Sequence, residues 1–414
     1  MEIRTESNRT YSYNPISNKL STNLDMGDIS LSTQFELDNE YDFSQIGIYT
    51  IEITQQCNLR CKYCCYSGEY HNRRKHNGYD ISWETLEQCI TFICEHCGNV
   101  PKIFVCFYGG EALLQKNKIE WTIAELTNKL SHKTFEFTIS SNGLLLNEST
   151  IDWICRTPNL NITITIDGDK IMHDKNRVNA SGEGSFNKIM KNLRLFKDKN
   201  PELYKERIKY ISTVNSIKDL IPLNDFWMNN DLLRGNRPQH ISSIIPNFEK
   251  GDTVSIDKTK FRQVYDIALN YIRNGVENIL TNELYNLIKT VKNRNYQPLQ
   301  DILTFSTCIN KPDSCFISSK GKLFVCERFC NDFNIGYIET GIKKKLCKTI
   351  NDKYIYRKNK YCGKCWAQRL CRRCAIGLNF DENQFLQYCE NEKMQIELAL
   401  KYFCELLEFK HHIK

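Results

Sequence analysis

This 414-residue sequence lacks any apolar run approaching the roughly 20 residues a membrane-spanning helix needs. Its opening Met1-Glu2-Ile3-Arg4-Thr5-Glu6 has neither the basic stretch nor the apolar core of a signal peptide, and no repeat or low-complexity tract interrupts it. These absences exclude a helical membrane protein and lead to the expectation of a cytoplasmic chain with no membrane partner. What is present is a globular composition, 41% hydrophobic and 25% charged, enough for two or three domains at about 150 residues each. It also holds 20 cysteines. In a reducing compartment these are not a disulfide framework, so they call for metal or for many core thiols, and their spacing must decide.

The net charge of +7 is an ordinary solubility balance. Its placement says more, because acids are absent from Arg357 to Arg373 while seven basic residues crowd there: Arg357, Lys358, Lys360, Lys364, Arg369, Arg372 and Arg373. Such a run reads as a solvated face, as an offset to the negative charge of a thiolate-bound metal centre, or as an attractor for an acidic polymer.

Apolar β-rich runs cover Ile48 to Thr54, Ile103 to Tyr108, Thr134 to Ser140, Leu160 to Ile166, Arg207 to Val214 and Gln239 to Ile245. Between them lie helical patterns near Ser82 to Cys97, Lys116 to Ser131, Asn147 to Arg156, Ser185 to Lys199 and Ile217 to Asn229. Alternation of this kind predicts a parallel α/β sheet with crossover helices, doubly wound or a barrel, with functional groups at the C-terminal strand ends. Thr253 to Arg294 reads as helical, the segments after Phe305 as short and Cys-rich, and Glu390 to Phe409 as a closing helix. The first 45 residues read as an irregular or small β appendage.

After the first strand comes Gln56-Cys57-Asn58-Leu59-Arg60-Cys61-Lys62-Tyr63-Cys64-Cys65. Three cysteines spaced C-x3-C-x2-C on one loop can wrap three corners of a [4Fe-4S] cubane, one thiolate per iron, and leave one iron open for a chelating ligand. Structural zinc is the alternative, but zinc sites favour paired C-x2-C knuckles.

With Tyr63 as the aromatic residue before Cys64, this segment resembles the signature of radical SAM enzymes. Tyr108-Gly109-Gly110-Glu111 is similar to the family's GGE motif, Ser140-Ser141-Asn142-Gly143 to its T-N-G segment, and Thr165-Ile166-Asp167-Gly168 with His173-Asp174-Lys175-Asn176-Arg177 to the S-x-D-G and H-D-x-x-R pattern of its peptide maturases. The resemblance implies that Cys57, Cys61 and Cys64 hold a [4Fe-4S] cluster chelated by S-adenosyl-L-methionine. Tyr63, Gly109, Gly110, Glu111, Ser141, Asn142, Thr165, Asp167 and Arg177 would then surround that cofactor, with Glu111 accepting from its ammonium and Arg177 pairing with its carboxylate.

The C-terminal cysteines resemble a SPASM domain with two auxiliary [4Fe-4S] clusters. The resemblance assigns Cys308, Cys315, Cys326 and Cys374 to the first and Cys362, Cys365, Cys371 and Cys389 to the second. Only Arg372 and Arg373 separate Cys371 from Cys374, one residue fewer than the family pattern, which leaves Cys330 as the substitute for Cys374. A pair of zinc sites would fit the central spacing equally well. Glu327, directly after Cys326, stands where related maturases carry an acidic residue proposed as a general base, and an anionic cluster beside it would favour its neutral form. The other cysteines, Cys65, Cys89, Cys94, Cys97, Cys106, Cys155, Cys330, Cys347 and Cys404, read as core thiols or spares, and the loop around His71 to His76 as solvated.

The expected architecture is therefore an appendage at 1–45, a partial (β/α)6 radical SAM barrel at 46–246, a helical connector at 247–306, a SPASM domain at 307–392 and a terminal helix at 393–414. By resemblance the expected function is radical SAM maturation of a ribosomal precursor peptide, closing a thioether or a C–C or C–O crosslink, with a low-potential electron donor such as flavodoxin or ferredoxin as partner. One alternative is an anaerobic sulfatase-type maturase forming formylglycine. The other is a non-catalytic zinc protein with a basic, nucleic-acid-binding tail.

Overall fold

A computed structural model describes residues 1–22, 31–38, 40–64, 66–70, 73, 75–244, 252, 257–297, 299–329, 331–372 and 374–412. Three short strands, β1 (Glu2–Arg4), β2 (Thr10–Asn14) and β3 (Lys19–Ser21), form an antiparallel sheet at the N-terminus, followed by β4 (Gln34–Leu37). The α/β part runs β5 (Ile48–Thr54), α1 (Trp83–His96), β6 (Lys102–Gly109), α2 (Lys116–Lys129), β7 (Thr134–Ser141), α3 (Glu148–Arg156) and β8 (Leu160–Thr165). It continues with α4 (Lys170–Asn176), α5 (Phe186–Lys199), α6 (Pro201–Arg207), β9 (Ile208–Val214), α7 (Leu220–Asn229) and β10 (His240–Ser243). Helices α8 (Lys258–Arg273) and α9 (Ile279–Lys292) follow. The C-terminal part holds β11 (Ile302–Phe305), β12 (Ser314–Ile317), β13 (Lys322–Phe324), β14 (Gly336–Tyr337), β15 (Gly341–Ile342), α10 (Lys344–Cys362) and α11 (Glu382–His412).

Strands β5 to β10 pair in parallel and in strict sequence order. Crossovers of one hand place their helices on one side, and the side chains record it. Ile103, Val105 and Phe107 of β6, Phe135, Phe137 and Ile139 of β7, and Ile162 and Ile164 of β8 are all buried. Their alternates, Cys106 and Tyr108, Thr138 and Ser140, Thr163 and Thr165, are half-buried. One face is thus a core under helices and the other an accessible inner face rich in hydroxyls. The helices start where small polar residues cap them: Ser82 accepts from Thr85 N, Asn147 from Thr150 N and Asp169 from Met172 N.

The sheet does not end at β5. Strand β12 pairs in parallel with it, Ser314 opposite Ile48 through Ile317 opposite Ile51, and β13, β14 and β15 follow antiparallel to give one ten-stranded sheet. The boundary expected at residue 306 therefore carries no break in the sheet. The expected appendage is also tied in: β4 pairs with β11, and Ile3 and Tyr13 share a core with Val291, Leu370, Leu400 and Cys404. Thr5 and Ser7 donate to the two carboxylate oxygens of Glu408 on α11 at 2.9 and 2.5 Å. Among the described residues no helix is long and apolar enough to cross a membrane.

Candidate active site

The cysteine loop leaves β5 and is fixed from two sides. Its backbone is held by the chain after α4, Arg60 N to the Val178 carbonyl at 2.6 Å and Lys62 N to that of Asn176 at 2.9 Å. At its start, Gly110 N bonds the Thr54 carbonyl at 3.0 Å and Glu111 N that of Gln56 at 2.8 Å. This contact explains the two glycines: a Cβ at Gly109 would stand 2.1 Å from the Thr54 oxygen, one at Gly110 2.0 Å from that of Gln56, and Gly109 has φ +137°. In this structure they bring the ends of β5 and β6 together.

Cys57, Cys61 and Cys64 line one recess of about 800 Å³ with Arg60, Lys62 and His76. Burial pushes the Cys57 thiol up to about 11 and raises that of Cys61 as well, so these sulfurs stay protonated unless a metal centre takes them. Among the described residues no three His, Cys, Asp or Glu side chains gather as a site for one metal ion. Thiols spread around a recess fit a cluster that takes one thiolate per iron.

Two hydrogen-bonded networks surround the recess. In the first, Tyr63 Oη donates to Asp167 Oδ2 at 2.6 Å and receives Arg177 Nη1 at 2.7 Å, while Thr213 N donates to Asp167 Oδ1 at 2.8 Å. Burial opposes the charge of Arg177, but Tyr63, Cys61 and Asp167 together hold its pKa above the ordinary value. The Arg177 Nε is buried and has no hydrogen-bond partner among the described residues. An orphaned guanidinium donor so close to the recess fits an incoming carboxylate. In the second network Glu111, fully buried, accepts from Ser141 Oγ at 2.8 Å, Asn142 N at 2.7 Å and Leu113 N at 3.1 Å. The expectation had this carboxylate accepting an ammonium; here its bonds hold the turn after β7. Asn142 passes the connection on, donating to Asn58 Oδ1 at 2.7 Å beside Cys57. Thr165 closes β8, half-buried on the inner face.

Two contributors were not singled out in the sequence. Asn58 is one. His76 is the other: its Nε2 lies 3.1 Å from Cys64 Sγ and its Nδ1 3.1 Å from the Gln55 carbonyl. The carbonyl can only accept, so Nδ1 carries the hydrogen and Nε2 receives that of the thiol. Its place in a basic, polar loop hid it; His71, Asn72 and Arg74 of that loop lie outside the described residues, as do Cys65, Cys330, Arg373 and the end of the run expected to reach Ile245.

In the C-terminal part Cys362, Cys365, Cys371, Cys374 and Cys389 line a cavity of about 190 Å³ with Lys358 and Lys393. Cys374 is also within electrostatic reach of Cys308 and Cys326. Cys315, expected with these, is turned into the core beside Tyr49. The side chain of Glu327 is 35% exposed and lies 3.7 Å from Arg328 Nε. Its charge is felt by Cys106 of β6, so the two share a neighbourhood.

Three arginines of the basic run are engaged with backbone carbonyls. Arg357 donates to the Gly377 and Phe380 carbonyls, Arg369 to those of Ile16 and Asn295, and Arg372 to that of Asn286. Cys89, Cys97, Cys347 and Cys404 are core thiols as read from the sequence, and Cys94, Cys106 and Cys155 are half-buried.

A parallel sheet with a three-thiol loop at the end of its first crossover strand defines a class. Residues 51–213 match the family model of the Radical SAM superfamily, so this part of the chain is a radical SAM enzyme domain. Over 383 residues it is 24% identical to a cysteine-type anaerobic sulfatase-maturating enzyme of Clostridium perfringens strain 13, covering 86% of this chain and 96% of that one. A serine-type counterpart from Bacteroides thetaiotaomicron is 31% identical over 144 residues, 34% of each chain. The solved structure of native anSMEcpe with bound AdoMet and Cp18Cys peptide shares the fold at TM-score 0.64 and 20% identity, covering 89% of this chain and 99% of that one. A radical SAM domain implies one [4Fe-4S] cluster and S-adenosylmethionine, and sets aside the non-catalytic zinc protein.

Proposed function

We propose that this enzyme matures a ribosomally made precursor peptide, installing a thioether or a C–C or C–O crosslink. The observation that supports this reading is the continuous sheet: β12 and β13 run on from β5, and the charge of Glu327 reaches Cys106 on the hydroxyl-rich inner face. Cys57, Cys61 and Cys64 would hold the first cluster, Arg177 would bind the carboxylate of S-adenosylmethionine, and Cys362, Cys365, Cys371 and Cys389 would hold one of two auxiliary clusters. Bound there, these groups supply a 5′-deoxyadenosyl radical and a sink for the surplus electron. The chain's own share is to position the cofactor through Tyr63, Asp167 and Asn142, to offer the hydroxyl-rich face to the peptide, and to take up a proton at Glu327. A flavodoxin or ferredoxin would deliver the priming electron.

The length of the match to the Clostridium perfringens enzyme favours a second reading, oxidation of one Cys or Ser of a sulfatase to formylglycine. Anaerobic incubation with short peptides encoded near this gene, followed by tandem mass spectrometry, separates the two. A crosslink suppresses fragmentation across the ring, whereas formylglycine leaves a linear product with an aldehyde mass. In the same assay Cys61→Ala is expected to abolish 5′-deoxyadenosine while keeping the auxiliary iron; wild-type deoxyadenosine from that variant would overturn the site.

A further inference from the structure

One lysine of the basic run differs from the other cations around it in what it touches. Lys360 pairs with Glu382 at 2.6 Å, and Lys393 of α11 with Glu390 at 2.7 Å. No carboxylate pairs with Lys358 among the described residues. Instead its Nζ lies 4.3 Å from the ring centroid of Phe35, 5.2 Å from that of Phe305 and 5.9 Å from that of Tyr354. Ring faces carry partial negative charge and attract an ammonium within about 6 Å. The three rings therefore hold Lys358 as a carboxylate would, without cancelling its charge.

The cage is assembled from three separate stretches of chain. Phe35 belongs to β4, Phe305 to β11 and Tyr354 to α10, one turn before Lys358. Strands β4 and β11 pair in parallel, and the Phe35 and Phe305 rings meet edge-on at 6.2 Å. Asn359 fixes β4 to the helix: its Oδ1 accepts from Phe35 N at 2.6 Å and its Nδ2 donates to the Phe35 carbonyl at 3.0 Å. Farther along, Thr33 N bonds the Gly363 carbonyl at 3.0 Å. The chains are so close there that a Cβ on Gly363 would stand 2.5 Å from the Thr33 oxygen.

The charge held in this way borders the thiols. Lys358 and Cys362 lie one turn apart on α10, and both line the cavity of about 190 Å³ with Cys365, Cys371, Cys374 and Cys389. Arg357 and Lys393 are in the same lining, and Glu392 is its one carboxylate among the described residues, accepting from Arg372 N at 3.4 Å. Tyr361 Oη, from this lining too, is buried with no hydrogen-bond partner among the described residues. A buried hydroxyl without an acceptor calls for one, and sulfur in the cavity would serve.

We infer that the caged Lys358 and the Tyr361 hydroxyl raise the reduction potential of the cluster in this cavity and so make it the acceptor of the surplus electron. The inference rests on the reading that Cys362, Cys365, Cys371 and Cys389 hold an auxiliary cluster. Lys358 ligates nothing and acts through its charge, as a positioning residue. A fixed cation favours the reduced, more negative state of a thiolate-bound cluster, and hydrogen bonds to the sulfurs act the same way. Reduction adds one electron, released as the peptide crosslink closes. No bond changes at the cluster and no proton moves, because Lys358 is an ammonium before and after.

The test uses the full-length chain with Cys57, Cys61 and Cys64 replaced by Ala, so that any iron is auxiliary, in anaerobic redox titrations read by electron paramagnetic resonance. Lys358→Met keeps the stem without the charge. It is expected to lower the midpoint of one reduction wave by about tenfold in electron affinity, about 59 mV for a one-electron couple. Cys389→Ala should abolish that same wave. Lys358→Arg keeps both the charge and the ring contacts and should leave the midpoint in place, while Tyr361→Phe should lower it by a smaller step. Iron content should be unchanged in the variants at 358 and 361. A wave that stays put in Lys358→Met would overturn the inference. So would an equal fall in Lys358→Arg, which marks a packing role, or a shift confined to a wave that survives Cys389→Ala. A parent chain free of iron would overturn the auxiliary-cluster reading itself, and the inference with it.

Discussion

His173 shows how far a single residue reaches into the site. Its Nδ1 accepts the Asp167 backbone N–H at 3.3 Å, its Nε2 donates to Ser185 Oγ at 3.0 Å, and Ser185 Oγ donates to the Arg177 carbonyl at 3.0 Å. A second proton on the ring would point at an N–H that is already a donor. Burial is the larger cause, with the nearby Arg177 charge adding to it, and together they lower the His173 pKa to about 3. Between that value and the ordinary 6.5 the unfolded chain binds a proton the folded chain refuses, so stability is complete above pH 6.5 and is lost as pH falls. Relative to His173→Gln, the wild type is expected to lose about 2 kcal/mol between pH 7 and pH 5. Anaerobic urea midpoints at the two pH values check this, and a difference that stays flat would mean the ring is protonated in the fold. Glu111 and Asp167, raised by burial, act in the opposite direction, which is why the comparison is made against the variant.

At the scale of elements, the sheet strands were legible because they are short apolar runs rich in β-branched and aromatic residues between helical patterns. The run read as Ile48 to Thr54 is β5, and those near Lys116 and Ser185 are α2 and α5 to within two residues at either end. The pairing of β12 with β5 was not legible: the partners lie 266 positions apart, and nothing local in Ser314 to Ile317 announces a neighbour. The same gap explains Cys315, whose direction depends on a register that only the folded sheet sets. Helix α10 was hidden as well, since it buries only Cys347, Ile350 and Asn351 and so shows no apolar stripe. The site motifs stand out in the sequence but their wiring does not: Glu111 and the two glycines, expected around the cofactor, also clamp strand ends in the fold. Gly110→Ala therefore is expected to act through the clamp, since its Cβ would also come within 3.1 Å of the Cys57 Cβ. A loss of about 3 kcal/mol and poor iron retention at the first site alone should follow, measured by thermal unfolding and iron analysis. Undiminished iron at that site would show the loop to be held by other means.

For the whole molecule, the ten-stranded sheet means that the two cysteine-rich regions are parts of one body. β5 is an interior strand only because β12 covers it. A chain ending at residue 306 would bare the stretch Ile48 to Ile51 of β5, which β12 pairs with, as an unprotected sheet edge. That shortened chain is expected to elute as aggregate in size-exclusion chromatography, whereas a monomeric product that binds S-adenosylmethionine would show the first part to be self-sufficient. The same feature has a consequence for history as well as handling. A module joined by hydrogen bonds across a shared strand cannot be traded between proteins as a bead on a string is. Any change in the C-terminal part must keep the register that β5 dictates, so its divergence is confined to loops, caps and the side chains that face the inner surface.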